Sequence, residues 1–311
     1  MTPRIKAALL LLAVTAVWGI TFPMTRWSMT VAGLDPFAYA GLKFLFAFMA
    51  LLPLAVRGSA PRQEAGADKP SAGLLWLWAG LATGLVLAVY GVLQYAGLVY
   101  TTSGKSAFIS GLYVVIVPLM AMAGGRMPGR PVWLGLVLAV SGLWLISGPQ
   151  GGEARLNFGD FLTLLSAAFT ALHVIMISRF ANRVDPIRFV TVQIALTSLV
   201  SFAVAFVRGN MPDASVFWIT LPFTLFGIIS LAGCILAQTA AQRYMRASEV
   251  ALMLQLQGVF AAVFGMIFLD EVMTLLMWAG AALMVGGSIM AQSRARRRVD
   301  PSPEPAAATG R

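Results

Sequence analysis

Polar and aromatic side chains recur inside stretches of this chain that are otherwise apolar. Ser106, Ser110 and Tyr113 are spaced by four and then three residues in the run Ser103 to Leu119, so on one continuous helix they share a face. Tyr90 and Gln94 are one helical turn apart, with Tyr95 on the adjacent face. Trp18, His173, Gln238 and Gln257 complete the set; Gln255 and Gln257 are two apart, so one of them packs away from the other. Polar groups in hydrocarbon are costly unless something polar faces them. These types suit non-covalent recognition: rings stack on an apolar or aromatic body, while amides and hydroxyls bond its ends. The chemistry they offer is binding of an uncharged or zwitterionic small molecule in a cavity. Each residue also has a packing alternative. The serines can bond back to carbonyls one turn earlier, Trp18 can sit at an interface, and His173 can bond a neighbouring helix. Tyr100 and Tyr244, near helix ends, read as interfacial belt residues.

The charged residues divide differently. Lys43 lies eight residues beyond Asp35, about 12 Å below its helix end at 1.5 Å per residue. It can snorkel outward or face the cavity. Glu271, after Asp270, reads as a helix-end group; with Lys43 it is a candidate gating or structural charge. Glu249 suits a helix N-terminus. No acidic residue falls at mid-membrane depth, which leans toward a facilitator or exchanger without a carboxylate proton relay. His173 is the one side chain there that titrates near neutrality. One histidine, one cysteine (Cys234) and no carboxylate pair leave an intramembrane enzyme without a nucleophile–base pair. No cofactor and no metal site are expected.

The elements that must position these residues are membrane spans. The 311 residues are 59% hydrophobic and 11% charged, against about 25% charged in a soluble domain. Ten apolar segments approach the ~20 residues a bilayer needs: 5–26, 36–56, 73–97, 104–124, 131–148, 158–179, 186–207, 216–240, 247–269 and 272–292. The first has a basic start (Arg4, Lys6) without a small-residue cleavage site, so it reads as a retained helix. Arg57 to Pro70 reads as a polar loop, and 294–311 as a basic, disordered tail. With both termini inside, seventeen of the 22 Lys and Arg lie on the inner side and four on the outer, with Lys43 inside a span. That asymmetry predicts that both termini lie on the cytoplasmic side. The net charge of +10 then reflects an anionic leaflet rather than nucleic acid. Expected partners are the bilayer and a small-molecule substrate, with the chain acting as a monomer.

The two halves resemble each other. Asp35-Pro36 and Asp185-Pro186 each precede a long polar side chain eight residues on, Lys43 and Gln193. Gln94 and Tyr100 match Gln238 and Tyr244 at an offset of 144. Trp133, Gly135 and Gly142 match Trp278, Gly280 and Gly287 at an offset of 145. Five spans per half is an odd number, so the second copy enters the membrane upside down. The predicted fold is all-α: a first five-helix repeat over 1–148, a connecting loop at 149–157, and an inverted repeat over 158–293 around a central cavity. Inverted repeats are an architecture of secondary transporters. A duplicated scaffold or receptor without transport is the alternative from another class.

Trp18-Gly19-Ile20-Thr21-Phe22, Asp35-Pro36 through Lys43, Ser106-Ala107-Phe108-Ile109 through Pro118, and Asp270-Glu271 with Met273-Thr274 and Gly280 together resemble the EamA-type transporters of the drug/metabolite transporter superfamily. The resemblance covers residues 7–292. Lys43 stands where the family usually has Arg, and Asp270 where it has Gly. The resemblance implies ten helices around a central cavity, with the fifth and tenth set apart from it. It also implies outward movement of small metabolites such as amino acids, relatives including aromatic amino-acid exporters of the YddG type. Export of drugs or nucleotide-derived metabolites is the alternative it allows.

Overall fold

The computed structural model describes residues 2–57, 74–120, 130–147, 157–245 and 247–293, and every regular element among them is a helix. α1 (Pro3–Thr30) opens behind Thr2, whose side chain accepts from the Ile5 N–H. α2 (Pro36–Arg57) and α8 (Pro186–Val207) open alike. Asp35 accepts from the Phe37 and Ala38 N–H groups, and Asp185 from that of Arg188. The Asp-Pro pairs are thus helix starts: the carboxylate caps, and the proline has no N–H to satisfy. α3 (Leu75–Val99), α6 (Arg130–Ser147) and α7 (Phe158–Phe180) follow the expected segments to within a few residues. Arg57, the expected start of the polar loop, is the last residue of α2; the rest of that loop, nearly all of the 149–157 connection and the 294–311 tail lie outside the described residues.

Among the described residues six helices are long and apolar enough to cross a membrane: Pro3–Thr30, Pro36–Arg57, Leu75–Val99, Phe158–Phe180, Pro186–Val207 and Ala214–Ala241. The other expected segments are shorter apolar stretches, Ser103–Val117, Trp133–Ile146, Gln257–Leu269 and Leu275–Gly287. Two are interrupted. The fourth segment is α4 (Ser103–Ser110) followed by α5 (Tyr113–Met120). The eighth contains α9 (Ala214–Leu225), a six-residue π-helical turn at Ile228–Gly233, and α10 (Cys234–Ala241). The ninth is α11 (Ala247–Leu254) followed by α12 (Gln257–Leu269), and α13 (Leu275–Ser293) ends the described chain.

The two interruptions are built alike. In the first, the N–H groups of Leu112, Val114 and Val115 reach three residues back, to Ile109, Gly111 and Leu112. In the second, Leu256, Gly258 and Val259 reach to Met253, Gln255 and Leu256. Every donor and acceptor is displaced by 144 residues. Such short bonds tighten the backbone locally and change the direction of the faces beyond.

α6 and α13 pack antiparallel on glycines. A Cβ on Gly280 would lie 2.6 Å from the Gly142 carbonyl oxygen, and one on Gly287 would lie 2.6 Å from that of Gly135. Only bare backbone fits there. The exposed side of α6 carries Trp133, Val137, Val140 and Trp144, a stripe suited to lipid. Inside, the pattern reverses: Thr15, Lys43, Gln94, Gln193, Gln238 and Gln257 are all buried.

The helix ends gather at two poles. At one, the Glu271 carboxylate accepts from the Ser103 N–H (2.8 Å), the Ser103 hydroxyl (2.7 Å) and the Gly104 N–H (3.3 Å), and pairs with Arg26 at 3.1 Å. Nearby, buried Asp160 pairs with Lys105 at 2.6 Å and accepts from Thr101 at 2.8 Å. At the other pole Arg4 pairs with Glu249. There too the Arg188 and Arg243 guanidiniums donate to the carbonyls of Ala55 and Ala181.

Candidate functional site

Between the poles lies a cavity of about 90 Å³, several times the ~10–15 Å³ that one water needs. Its wall draws on α1, α2, α3, α5, α7, the π turn, α10, α11 and α12. Seven of the residues singled out in the sequence line it: Trp18, Lys43, Tyr90, Tyr113, His173, Gln238 and Gln257. Tyr113 and Gln257 are the first residues of α5 and α12, so each follows its helix interruption directly, and they too are 144 apart. Gln255 turns the other way and donates to the Met284 carbonyl at 3.4 Å.

Trp18 is positioned by the π turn. In that turn the Cys234 N–H goes to the carbonyls of Ile229 and Leu231 and passes over Ser230, its regular partner four residues back. The Ser230 carbonyl instead accepts from Trp18 Nε1 at 2.5 Å. The indole is therefore held at one end while its ring lines the cavity. His173 is held by Gln193: His173 Nε2 and Gln193 Oε1 are 2.8 Å apart, and Gln193 Nε2 donates to the Phe189 carbonyl at 3.3 Å. With the amide oriented by that second bond, Nε2 carries the imidazole proton toward Gln193.

Lys43 enters the cavity from α2. Its ammonium lies 5.6 Å from the centre of the Tyr39 ring, and it has no carboxylate partner among the described residues. It does not snorkel, since it is only 2% exposed. Its stem is pinned: a Cβ on Gly227 would lie 2.5 Å from Lys43 Cγ.

Gln94, Ser106 and Ser110 are elsewhere. Gln94 donates to Ser106 at 2.8 Å and accepts from Ser110 at 2.6 Å and Ser166 at 2.9 Å; Ser106 also meets Thr163 at 3.3 Å. This buried knot joins α3, α4 and α7. The aligned trio of the sequence reading assumed one continuous helix. The interruption at Gly111–Leu112 separates it, leaving the serines with Gln94 and turning Tyr113 to the cavity. Glu271 is also remote from the cavity, at the pole already described. Four polar wall residues escaped the list. Tyr95, placed on the adjacent face, reaches the cavity as well, and Thr21, Thr170 and Ser230 were not singled out. A serine or threonine in an apolar helix bonds its own backbone too often to stand out, as Thr21 and Thr170 do.

Much of the wall is polar without a protein partner. Among the described residues, the hydroxyls of Tyr90, Tyr95 and Tyr113 and the amides of Gln238 and Gln257 make no side-chain hydrogen bond, and Ser230 Oγ is buried with none. Buried polar groups in folded proteins are bonded to protein, water or ligand. This surface is therefore built to meet something that enters.

The model of the EamA-like transporter family matches residues 5–148 and 157–292. An uncharacterized transporter of Archaeoglobus fulgidus is 28% identical over 296 residues, covering 94% of this chain and 87% of the relative. The uncharacterized transporter YvbV of Bacillus subtilis is 24% identical over 305 residues, 94% of each chain. A solved crystal structure of a protein superimposes with a TM-score of 0.64 at 17% identity, covering 95% of this chain and 99% of the other, which speaks to the fold alone. A chain of apolar helices around an unsatisfied polar cavity, matched along nearly its whole length, is a multi-pass membrane transporter that acts on a small molecule, and it belongs to the EamA-like transporter family.

Proposed function

We propose that this protein carries small, neutral or zwitterionic metabolites outward across the bacterial inner membrane by alternating access, amino acids with aromatic or apolar side chains foremost. The observation that carries the substrate class is the cavity wall. Trp18, Tyr90, Tyr95 and Tyr113 offer ring faces, Gln238 and Gln257 offer amides, and no acidic residue lines it among the described residues. Aromatic faces take up an apolar body and unpartnered amides and hydroxyls its polar ends. A highly anionic substrate would call for more buried cations than Lys43 alone.

The mechanism rests on two five-helix repeats, 1–148 and 158–293, inserted in opposite senses. The matched interruptions at 111–112 and 255–256 support it. So does the glycine pairing, because Gly142 meets the counterpart of Gly135 and Gly135 meets the counterpart of Gly142. That reciprocal, antiparallel contact fits a two-fold axis lying in the membrane plane. Broken helices at matching positions beside a midplane cavity are where such carriers bind their cargo. The uneven distribution of basic residues supports cytoplasmic termini. One chain walls the whole cavity, so a monomer suffices.

The test is uptake of labelled tryptophan, phenylalanine and threonine into proteoliposomes, with and without a pH gradient. Saturable aromatic uptake indifferent to the gradient is the expected result. Folded protein that moves none of the three above empty liposomes overturns the amino-acid reading.

A further inference from the structure

Among the described residues the cavity wall carries the cation Lys43, no acid, and the buried, unpartnered hydroxyl of Ser230. Lys43, on the cavity wall, has no carboxylate partner among the described residues, and its Nζ lies 5.6 Å from the centre of the Tyr39 ring. A buried ammonium so placed is costly unless an anion joins it. Ser230 Oγ, fully buried, has no hydrogen-bond partner. The two belong to one corner of the wall: Gly227, against which Lys43 packs, is one turn before Ser230. The π turn engages the Ser230 carbonyl with Trp18, and the hydroxyl of this wall residue is left without a partner.

We propose that Lys43 and Ser230 form a carboxylate subsite, and that the cargo is defined by one carboxylate on an apolar or aromatic body rather than by an amine. The ammonium supplies the countercharge and the hydroxyl donates to the second carboxylate oxygen, a charge-assisted pair of the stronger kind. An ammonium on the cargo would find no acid on the wall, only ring faces. A carboxylic acid lacking the amine is therefore bound at least as well as the amino acid, and an amine lacking the carboxylate is not bound. This rests on the transport reading for its setting but not for its test.

The test uses full-length protein in detergent and three probes with one ring: phenylalanine, 3-phenylpropanoate and phenethylamine. Saturable thermal stabilisation is measured for each, together with competition against labelled phenylalanine uptake in proteoliposomes. Expected is stabilisation by both carboxylates and none by the amine. Lys43→Gln removes it, raising the half-effective concentration about tenfold or more, Lys43→Arg retains most of it, and Ser230→Ala raises it several-fold. Phenethylamine acting as well as the acid, an acid effect unchanged in Lys43→Gln, or no stabilisation by any probe of folded protein would each overturn the subsite. The acid–amine contrast needs no variant, so a misfolded Lys43→Gln leaves the test intact. Acid binding without any uptake would sink the transport reading and leave the subsite standing.

Discussion

Gln94 and Gln238 hold matching positions in the two halves, 144 residues apart, and have opposite fates. Gln94 is saturated: it bonds Ser106, Ser110 and Ser166 and fastens α3 to α4 and α7. Gln238 bonds none of the described residues and faces the cavity. The cause is visible in the neighbours. Where α4 carries Ser106 and Ser110, the same offset in α11 gives Val250 and Leu254. An amide opposite two hydroxyls becomes structure, and an amide opposite two aliphatic side chains remains available to a ligand. Lys43 and Gln193 repeat the lesson, one lining the cavity while the other bonds His173. At these paired positions, different neighbours leave one side chain bonded within the fold and the other on the cavity wall.

The largest effect expected from this contrast is on Gln94. Gln94→Leu removes three side-chain bonds and should destabilise the protein by about 2–3 kcal/mol, seen as a lowered thermal midpoint. Gln238→Leu should leave the midpoint nearly in place and raise the half-saturation for uptake several-fold. Equal loss of stability in the two variants would break the comparison. The two poles sharpen it. Glu271 is almost enclosed and meets four donors, whereas Arg4 in the opposite pair is largely exposed. Glu271→Gln should cost about 1–2 kcal/mol and Arg4→Ala about 0.5 kcal/mol or less, both read by thermal denaturation. Gln193→Leu should cost about 1 kcal/mol while changing uptake through the released imidazole; uptake identical to that of the unaltered protein would remove His173 from the working wall. The smallest change is a gain. Asp270 closes α12 in the left-handed region, at φ 51°. Glycine adopts that conformation without a Cβ penalty, so Asp270→Gly should stabilise by about 0.5–1 kcal/mol.

The spans were readable because a bilayer demands long apolar runs, and the cavity was readable where a large polar or aromatic side chain interrupts them. Trp18, Tyr90, His173 and Gln238 are of that kind. Helix faces were less readable. Nothing in Gly111-Leu112 or Gln255-Leu256 marks an interruption strongly, since a lone glycine in an apolar helix is common and the second break has none. Spacing arithmetic carried across the first break therefore put Ser106 and Ser110 on Tyr113's wall. The saturation of Gln94 was hidden for another reason: Ser166 comes from 72 residues away, and only packing brings it there. Asp270 was visible as a departure from the family's glycine, and the left-handed backbone there shows what the glycine is for.

The π turn at Ile228–Gly233 also changes how its span must be read. It accommodates about one residue more than an α-helix would over the same rise, and one residue is about 100° of rotation. α9 and α10 are thus two helical wheels out of phase with each other. A single wheel drawn over residues 214–241 assigns Gln238 the wrong azimuth, however carefully it is drawn. Deleting one residue from the turn would bring the wheels into step and swing Gln238 around the axis, away from the cavity, without altering any side chain in it.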